Sequence, residues 1–412
     1  MTVERWTRAR VRPRRALFLS SPIGLGHARR DVAIAQHLRR LHPDLQVDWL
    51  TQDPVTRVLE LAGERLHPAS RLLASESAHL EAESGEHDLH VFGALRAMDE
   101  ILVNNFMVFD EVVAETPYDL VIGDESWDVD YFLHENPELK RFSFAWMTDF
   151  VGYLPMPGLG EREALLTADY NAEMLEQRAR YKRVRDRQIF IGNPDDVVEQ
   201  PFGPGLPGIR EWTVEHYDFA GYVTGFDPPS AAEVARTRRE LGYSPEDVLC
   251  LVAVGGSGVG EPLLHRVLDA VPLARRQLPE LRFLVVTGPR IDPAVLPRVE
   301  GVDVRGFVPD LHLRLAAADV AVVQGGLTTT MELAAARVPF LYVPLRHHFE
   351  QNIHVRHRLE QYGAGRCATY EEASDPGWLA DAVVKEVSTE VVGRPVETGG
   401  AERAAALLAD LL

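Results

Sequence analysis

Residues 319–365 read DVAVVQGGLTTTMELAAARVPFLYVPLRHHFEQNIHVRHRLEQYGAG, and this stretch decides the fold class. The apolar run Val320–Val323 stops at Gln324-Gly325-Gly326. A short polar loop, Leu327-Thr328-Thr329-Thr330, leads into a helical run over 331–336. A second apolar run, 339–343, leads to His347-His348-Phe349-Glu350-Gln351-Asn352 and a further helix. The reading is strand, glycine turn, helix, strand, polar loop, helix. In such a unit the glycine turn lets a ligand approach the backbone, and the helix start offers unpaired N–H groups to an anion. Glu332, inside the first helix, and the polar cluster after the second strand then face one crevice.

The same alternation runs outward through the chain. Apolar runs predict strands at 16–20, 45–50, 119–123, 142–147, 188–191 and 219–223, then at 248–254, 282–287 and 302–305. Helical spacing predicts helices at 28–40 and 54–62, one long helix at 92–115, a charged helix at 161–185 and closing helices at 376–387 and 401–412. Residues 66–91, with His67, His79, His87 and His90 scattered through them, read as an irregular loop region. The turn formers Gly225-Phe226-Asp227-Pro228-Pro229-Ser230 mark a linker, after which the pattern restarts. Each half opens on strand, glycine turn and helix: Ser21-Pro22-Ile23-Gly24-Leu25-Gly26-His27 in the first, Gly255-Gly256-Ser257-Gly258-Val259-Gly260 in the second. The expected fold is α/β, with two Rossmann-like doubly wound domains facing across a cleft. The domains are expected at 14–224 and 231–392, joined by 225–230, with a C-terminal helix at 393–412 that packs back on the first.

A length of 412 residues is too great for one ordinary core and agrees with two domains. A formal net charge of -19 leaves no basic face to neutralise phosphates, which argues against a nucleic-acid partner. It also disfavours adhesion to an anionic membrane, and peripheral contact through a local basic patch is the minor reading. Cys250 and Cys367 are too few for a disulfide framework and suit a reducing cytoplasm. The basic N-terminus, with Arg8, Arg10, Arg12, Arg14 and Arg15, precedes only four apolar residues, too few for a signal peptide. No run approaches the ~18 apolar residues of a membrane span. The expected location is therefore cytoplasmic.

The run from Gln324 to Glu332, with Thr328 and Thr329 between them, resembles the donor-binding signature of the GT-B glycosyltransferases. That group includes UDP-glycosyltransferases and the lipid II-forming N-acetylglucosaminyltransferase. The resemblance implies that Glu332 accepts hydrogen bonds from the ribose hydroxyls. It also implies that Thr328, Thr329 and the amides around Gly325, Gly326 and Leu327 hold the diphosphate. Gln324 departs from the basic residue usual at its position. Downstream, Glu350 and Gln351 resemble the residues that grip the sugar hydroxyls. Upstream, Gly306-Phe307-Val308-Pro309 resembles the turn that packs on uracil or thymine through Phe307 and Val308. Gly255, Gly256, Ser257 and Gly258 resemble a diphosphate loop of the family, although alone a glycine loop is as readily a plain turn.

In the first half, Gly24-Leu25-Gly26-His27 resembles the family's Gly-His turn. His27 is then the candidate base and Asp124, on the same sheet edge, the residue that orients it, with Gly26 close to the donor. A capping histidine and a helix-capping aspartate are the structural alternatives. The implied reaction is inverting transfer from a UDP- or dTDP-sugar to a hydroxyl of a small molecule or natural product. No metal and no cofactor are expected, the nucleotide sugar being a substrate. Gly-x-Gly-His-x-x-Arg, ending at Arg30, also resembles the nucleotide-sugar hydrolases of pseudaminic acid synthesis, and a non-catalytic nucleotide-sugar-binding subunit is a third alternative. Asp128-Val129-Asp130 reads as a solvated helix turn rather than a metal motif. The histidines from His347 to His357 lack the acidic partners of a metal site. Phe142, Phe144, Trp146, Phe150 and Tyr153 read mostly as core, the end of that run lining an apolar or aromatic acceptor pocket.

Overall fold

The structure, a computed structural model, describes residues 12–226, 228–256 and 258–412. The strands in chain order are β1 (Arg15–Ser20), β2 (Gln46–Trp49), β3 (Leu120–Asp124), β4 (Ser143–Thr148), β5 (Arg187–Phe190), β6 (Asp218–Phe219), β7 (Val248–Ala253), β8 (Leu281–Val286), β9 (Val302–Arg305), β10 (Val320–Val323), β11 (Phe340–Tyr342) and β12 (Arg366–Cys367). They form two six-stranded sheets, ordered β2-β1-β3-β4-β5-β6 and β12-β11-β10-β7-β8-β9. Every pairing is parallel. Strands such as Ala16-Leu17-Phe18-Leu19 are buried on both faces because helices cover both sides of each sheet. The expected doubly wound α/β architecture is therefore present.

The strand orders say where ligands belong. In a doubly wound sheet, the loops leaving the carboxyl ends diverge where the order reverses, and a crevice opens there. In the first sheet the reversal lies between β1 and β3, whose register sets Ser20 beside Asp124. In the second it lies between β7 and β10. His27 sits in the first turn of the helix that follows β1, and the β7 and β10 loops carry Gly255 and Gln324.

The two halves close on each other around these loops. Leu80, Leu89, Phe92 and Phe150 pack with Val259, Leu345 and Phe349 in a shared apolar cluster. Polar braces surround it. His87 Nε2 donates to the Val343 carbonyl at 2.9 Å, and Arg358 donates to the Ile191 and Asp149 carbonyls at 3.1 and 2.9 Å. The helix Gly400–Ala409 packs Ala401, Ala404, Ala405 and Leu408 into the first domain beside Ala28, Ala35 and Leu38.

Several local expectations are corrected. Residues 66–91 are not an irregular loop: Pro68–Leu72 is a 3-10 turn and Glu76–Glu83 a helix capped by Ser75. The helix expected over 92–115 is two helices, Val91–Arg96 and Asp99–Glu115. The charged helix ends at Arg180 rather than near 185. The strand expected at 219–223 contributes only Asp218–Phe219. Asp130 is not solvated: it is buried and takes hydrogen bonds from Arg178 and Arg185. Phe150 and Tyr153 pack against Phe349 at ring distances of 5.6 Å, within the contact between the halves. No helix among the described residues is long and apolar enough to cross a membrane.

Candidate active site

The helix Leu25–Leu41 starts directly at the β1 turn, so His27, Arg29 and Arg30 all lie near its N-terminus. Helix starts favour anions, and this one has no acidic residue in its first turn. Three potential cations there are intrinsically unfavourable, and carboxylates from elsewhere compensate them. His27 Nδ1 lies 2.8 Å from Asp124 Oδ2. Arg30 is buried and donates through Nε and Nη2 to both Asp124 oxygens at 3.0 and 2.5 Å, while its Nη1 donates to Asp149. Arg30 Nη2 also stands 2.8 Å from His27 Nδ1. With Nδ1 protonated and donating to Asp124, Nε2 is the unprotonated nitrogen; with Nδ1 accepting from Arg30 Nη2, the proton sits on Nε2.

Charge in this cluster is set by burial. Burial and the Arg30 charge pull the His27 pKa down, but Asp124 and Glu125 outweigh them and the net shift is upward. Burial alone would raise the Asp124 pKa, yet the Arg30 and His27 charges hold it well below the usual carboxylate range. Asp124 is therefore a permanent anion behind the imidazole, fully buried and out of reach of a ligand.

Across the cleft, Gly325 takes φ 100, a conformation open to glycine and strained for other residues. It turns the chain from β10 into the helix Leu327–Ala336, whose N-cap Gly326 supplies no side-chain cap. The first amides of that helix are therefore available to an anion. A Cβ added at Gly26 would overlap the Thr328 side chain, so the base turn and this loop are in direct contact. Glu332 is buried, and burial pushes its pKa up to about 7 despite Arg29. Arg29 reaches over the cleft, with Nη1 3.4 Å from Glu332 Oε1 and Nη2 donating to the Pro309 carbonyl at 2.5 Å.

One cleft is lined by Gly26, His27, Gly255, Gly256, Phe307, Val308, Gln324, Gly325, Gly326, Leu327, Thr328, Thr329, Glu332, Glu350 and Gln351. Gln324 is buried, and its Oε1 has no hydrogen-bond partner among the described residues. Glu350 opens a π-helical turn, Glu350–Val355, and burial and the Asp149 charge raise its pKa. Gln351 is already engaged, since its Oε1 accepts from the Leu345 amide at 2.9 Å. Gly258 faces Glu81 and lines a separate surface depression. Ser257 lies outside the described residues. His347, His354 and His357 serve separate contacts, with Asp88, the Gly152 carbonyl and the Asp195 carbonyl respectively.

The sequence does not single out Arg29, Glu125 or Asp149 as site residues, and it marks Arg30 only as the end of the Gly-x-Gly-His-x-x-Arg pattern. Asp149 follows β4 on the edge that exposes Asp124, so the sheet-edge argument that picks Asp124 applies to it equally. Arg29 and Arg30 flank the glycine turn, and their signal is the unfavourable charge at a helix start.

Residues 249–403 match the glycosyltransferase family 28 C-terminal domain. A UDP-N-acetylglucosamine--N-acetylmuramyl-(pentapeptide) pyrophosphoryl-undecaprenol N-acetylglucosamine transferase of Cutibacterium acnes is 27% identical over 219 residues, covering 51% of this chain and 56% of the relative. The chain thus spans about half the length of that relative. The glycosyltransferase SnogD from Streptomyces nogalater superposes with a TM-score of 0.56 at 20% identity, covering 96% of this chain and 99% of that one. The spinosyn rhamnosyltransferase SpnG complexed with thymidine diphosphate gives 0.57 at 14% identity, covering 96% and 95%. The chain has the two-domain fold of the GT-B glycosyltransferases, and its C-terminal half carries the match to the glycosyltransferase family 28 C-terminal domain.

Proposed function

We propose that this protein is an inverting, metal-independent glycosyltransferase that moves a sugar from a UDP- or dTDP-sugar to a hydroxyl group. The observation that carries the reading is the meeting of His27, paired with Asp124 at 2.8 Å, and the Thr328–Glu332 segment in one cleft. The ribose hydroxyls bond to Glu332, the diphosphate lies on the amides at the start of the helix Leu327–Ala336, and Glu350 faces the sugar. The acceptor hydroxyl gives its proton to His27 Nε2 as its oxygen bonds to C1 of the sugar. The C1–O bond to phosphate breaks, and its electron pair leaves on the diphosphate. One in-line displacement inverts C1. Asp124 stabilises the imidazolium, and the helix amides with Thr328 and Thr329 stabilise the leaving charge. The relative's name supports UDP as carrier, and the thymidine diphosphate complex of SpnG supports dTDP.

A thermal-shift screen of nucleotides tests the donor assignment, because a ligand that binds only the folded state raises its melting temperature. UDP or dTDP is expected to stabilise the protein, and stabilisation by neither overturns the reading. A nucleotide-sugar hydrolase is the second reading, favoured by Arg30, which occupies the pattern of those hydrolases and bonds to Asp124. Rapid, stoichiometric release of free sugar without acceptor identifies hydrolysis, whereas slow release identifies transfer.

A further inference from the structure

Beside the cleft, a second chamber opens within the first domain, lined among others by Ser21, Gln52, Glu76, Asn105, Glu125 and Asp128. Its lining contains three carboxyl groups and no lysine, arginine or histidine. Glu76 accepts hydrogen bonds from Gln52 Nε2 at 2.8 Å and Asn105 Nδ2 at 3.2 Å. Burial, and for Glu76 the Asp128 charge, push both carboxyl pKa values up, as expected where no countercharge is at hand. Ser21 is 2% exposed, and its Oγ has no hydrogen-bond partner although it lines this chamber. A buried hydroxyl without a partner beside uncompensated carboxyls describes a place for a donor-rich ligand group.

Glu125 joins this chamber to His27. Its backbone is held at φ 53, a left-handed conformation that costs energy for a non-glycine residue. Its Oε1 accepts from Thr148 Oγ1 at 3.0 Å and from the Asp149 amide at 3.1 Å. Its Oε2 stands 4.0 Å from His27 Nε2. That gap is too long for a direct hydrogen bond. It suits a ligand with two neighbouring polar substituents, one on Nε2 and one on Oε2.

We propose that the acceptor is an amino alcohol, its reacting hydroxyl on His27 Nε2 and its protonated amine on Glu125 and the Glu76–Asp128 carboxyls. The proposal rests on the glycosyl-transfer reading. Glu125 already has Arg30 Nη2 4.0 Å from its Oε1, so the countercharge is missing at Glu76 and Asp128; an ammonium supplies it there, whereas a neutral hydroxyl would leave that pair without one. The bonds made and broken are those of the transfer: the hydroxyl proton passes to Nε2, its oxygen bonds to C1, the diphosphate leaves with the electron pair, and the amine keeps its proton throughout.

The test compares an amino cyclitol, 2-deoxystreptamine, with the amine-free myo-inositol, using UDP-N-acetylglucosamine, UDP-glucose and dTDP-glucose as donors. The amine probe is expected to give a kcat/KM higher by at least about tenfold, the scale of a charge-assisted contact. A Glu76→Gln/Asp128→Asn variant is expected to abolish that preference through KM for the amine probe. Glu125→Gln is expected to weaken it, and in both variants UDP still raises the melting temperature. Equal or absent use of the two probes, or a preference that survives the double variant, overturns the proposal. Failure of both UDP and dTDP to bind overturns the transfer reading itself, and nucleotide binding without amine preference overturns this inference alone.

Discussion

Replacing Glu332 by glutamine separates what the residue does for the ligand from what it costs the fold. Glu332 is buried, and its pKa stands at about 7 against the usual 4.5. A folded-state pKa raised in this way means that the native protein binds its proton more tightly than the unfolded chain. The associated stability is present below about 4.5 and is lost as pH rises through about 7. At pH 8 the buried carboxylate therefore burdens the fold by roughly 3 kcal/mol, taking 1.36 kcal/mol per unit. The substituted amide carries no charge, and Arg29 keeps its bond to the Pro309 carbonyl. Glu332→Gln is expected to raise the melting temperature at pH 8 by about 5 °C and to change it little at pH 5. Nucleotide affinity moves the other way. Hydrogen bonds from ribose hydroxyls to a carboxylate contribute about 1.5–3 kcal/mol. UDP or dTDP binding by calorimetry at pH 8 should thus weaken by roughly tenfold to a hundredfold. A variant that is destabilised at pH 8, or that binds nucleotide as the parent does, refutes the assignment.

Other perturbations bear on different links. Gly26→Ala inserts a methyl into the Thr328 side chain at the domain contact, so kcat/KM should fall about 100-fold, as for a misplaced reacting pair, and the overlap should also lower the melting temperature. Because the His27 pKa is raised above 6.5 and the base must be neutral, kcat/KM should climb with pH through an inflection above 6.5. In Asp124→Asn, which removes the carboxylate that raises that pKa, the inflection should move down. Asp130→Ala leaves Arg178 and Arg185 without their buried partner and should cost about 3–5 kcal/mol in urea unfolding, with nucleotide affinity of the folded protein unchanged.

The sheets are legible in the sequence because parallel strands buried on both faces are plain apolar runs, and Leu17, Ile122, Leu251 and Val322 all lie at the expected places. The split of the helix over 92–115 is not, since no glycine or proline marks residues 97–98. The break follows from Phe92 turning into the cluster between the halves while Phe106 and Phe109 pack into the first domain. The carboxylates are misjudged for a related reason. Asp130 reads as solvated because its partners Arg178 and Arg185 lie about fifty residues away, at distances only the fold reveals. In the cleft, sequence order displays His27 and the Gln324–Glu332 run, each at a glycine turn and helix start after a strand. It hides Arg29, whose significance lies in spanning from the first domain to Glu332 in the second.

The central claim is that His27 removes a proton from the acceptor while the opposite wall holds the nucleotide. Steady-state transfer by wild type and His27→Ala, with UDP or dTDP binding measured on the same preparations, tests it most directly. A lost general base predicts a fall in kcat of about 10²–10⁴-fold with nucleotide affinity unchanged. Near-full transfer by His27→Ala would contradict the account.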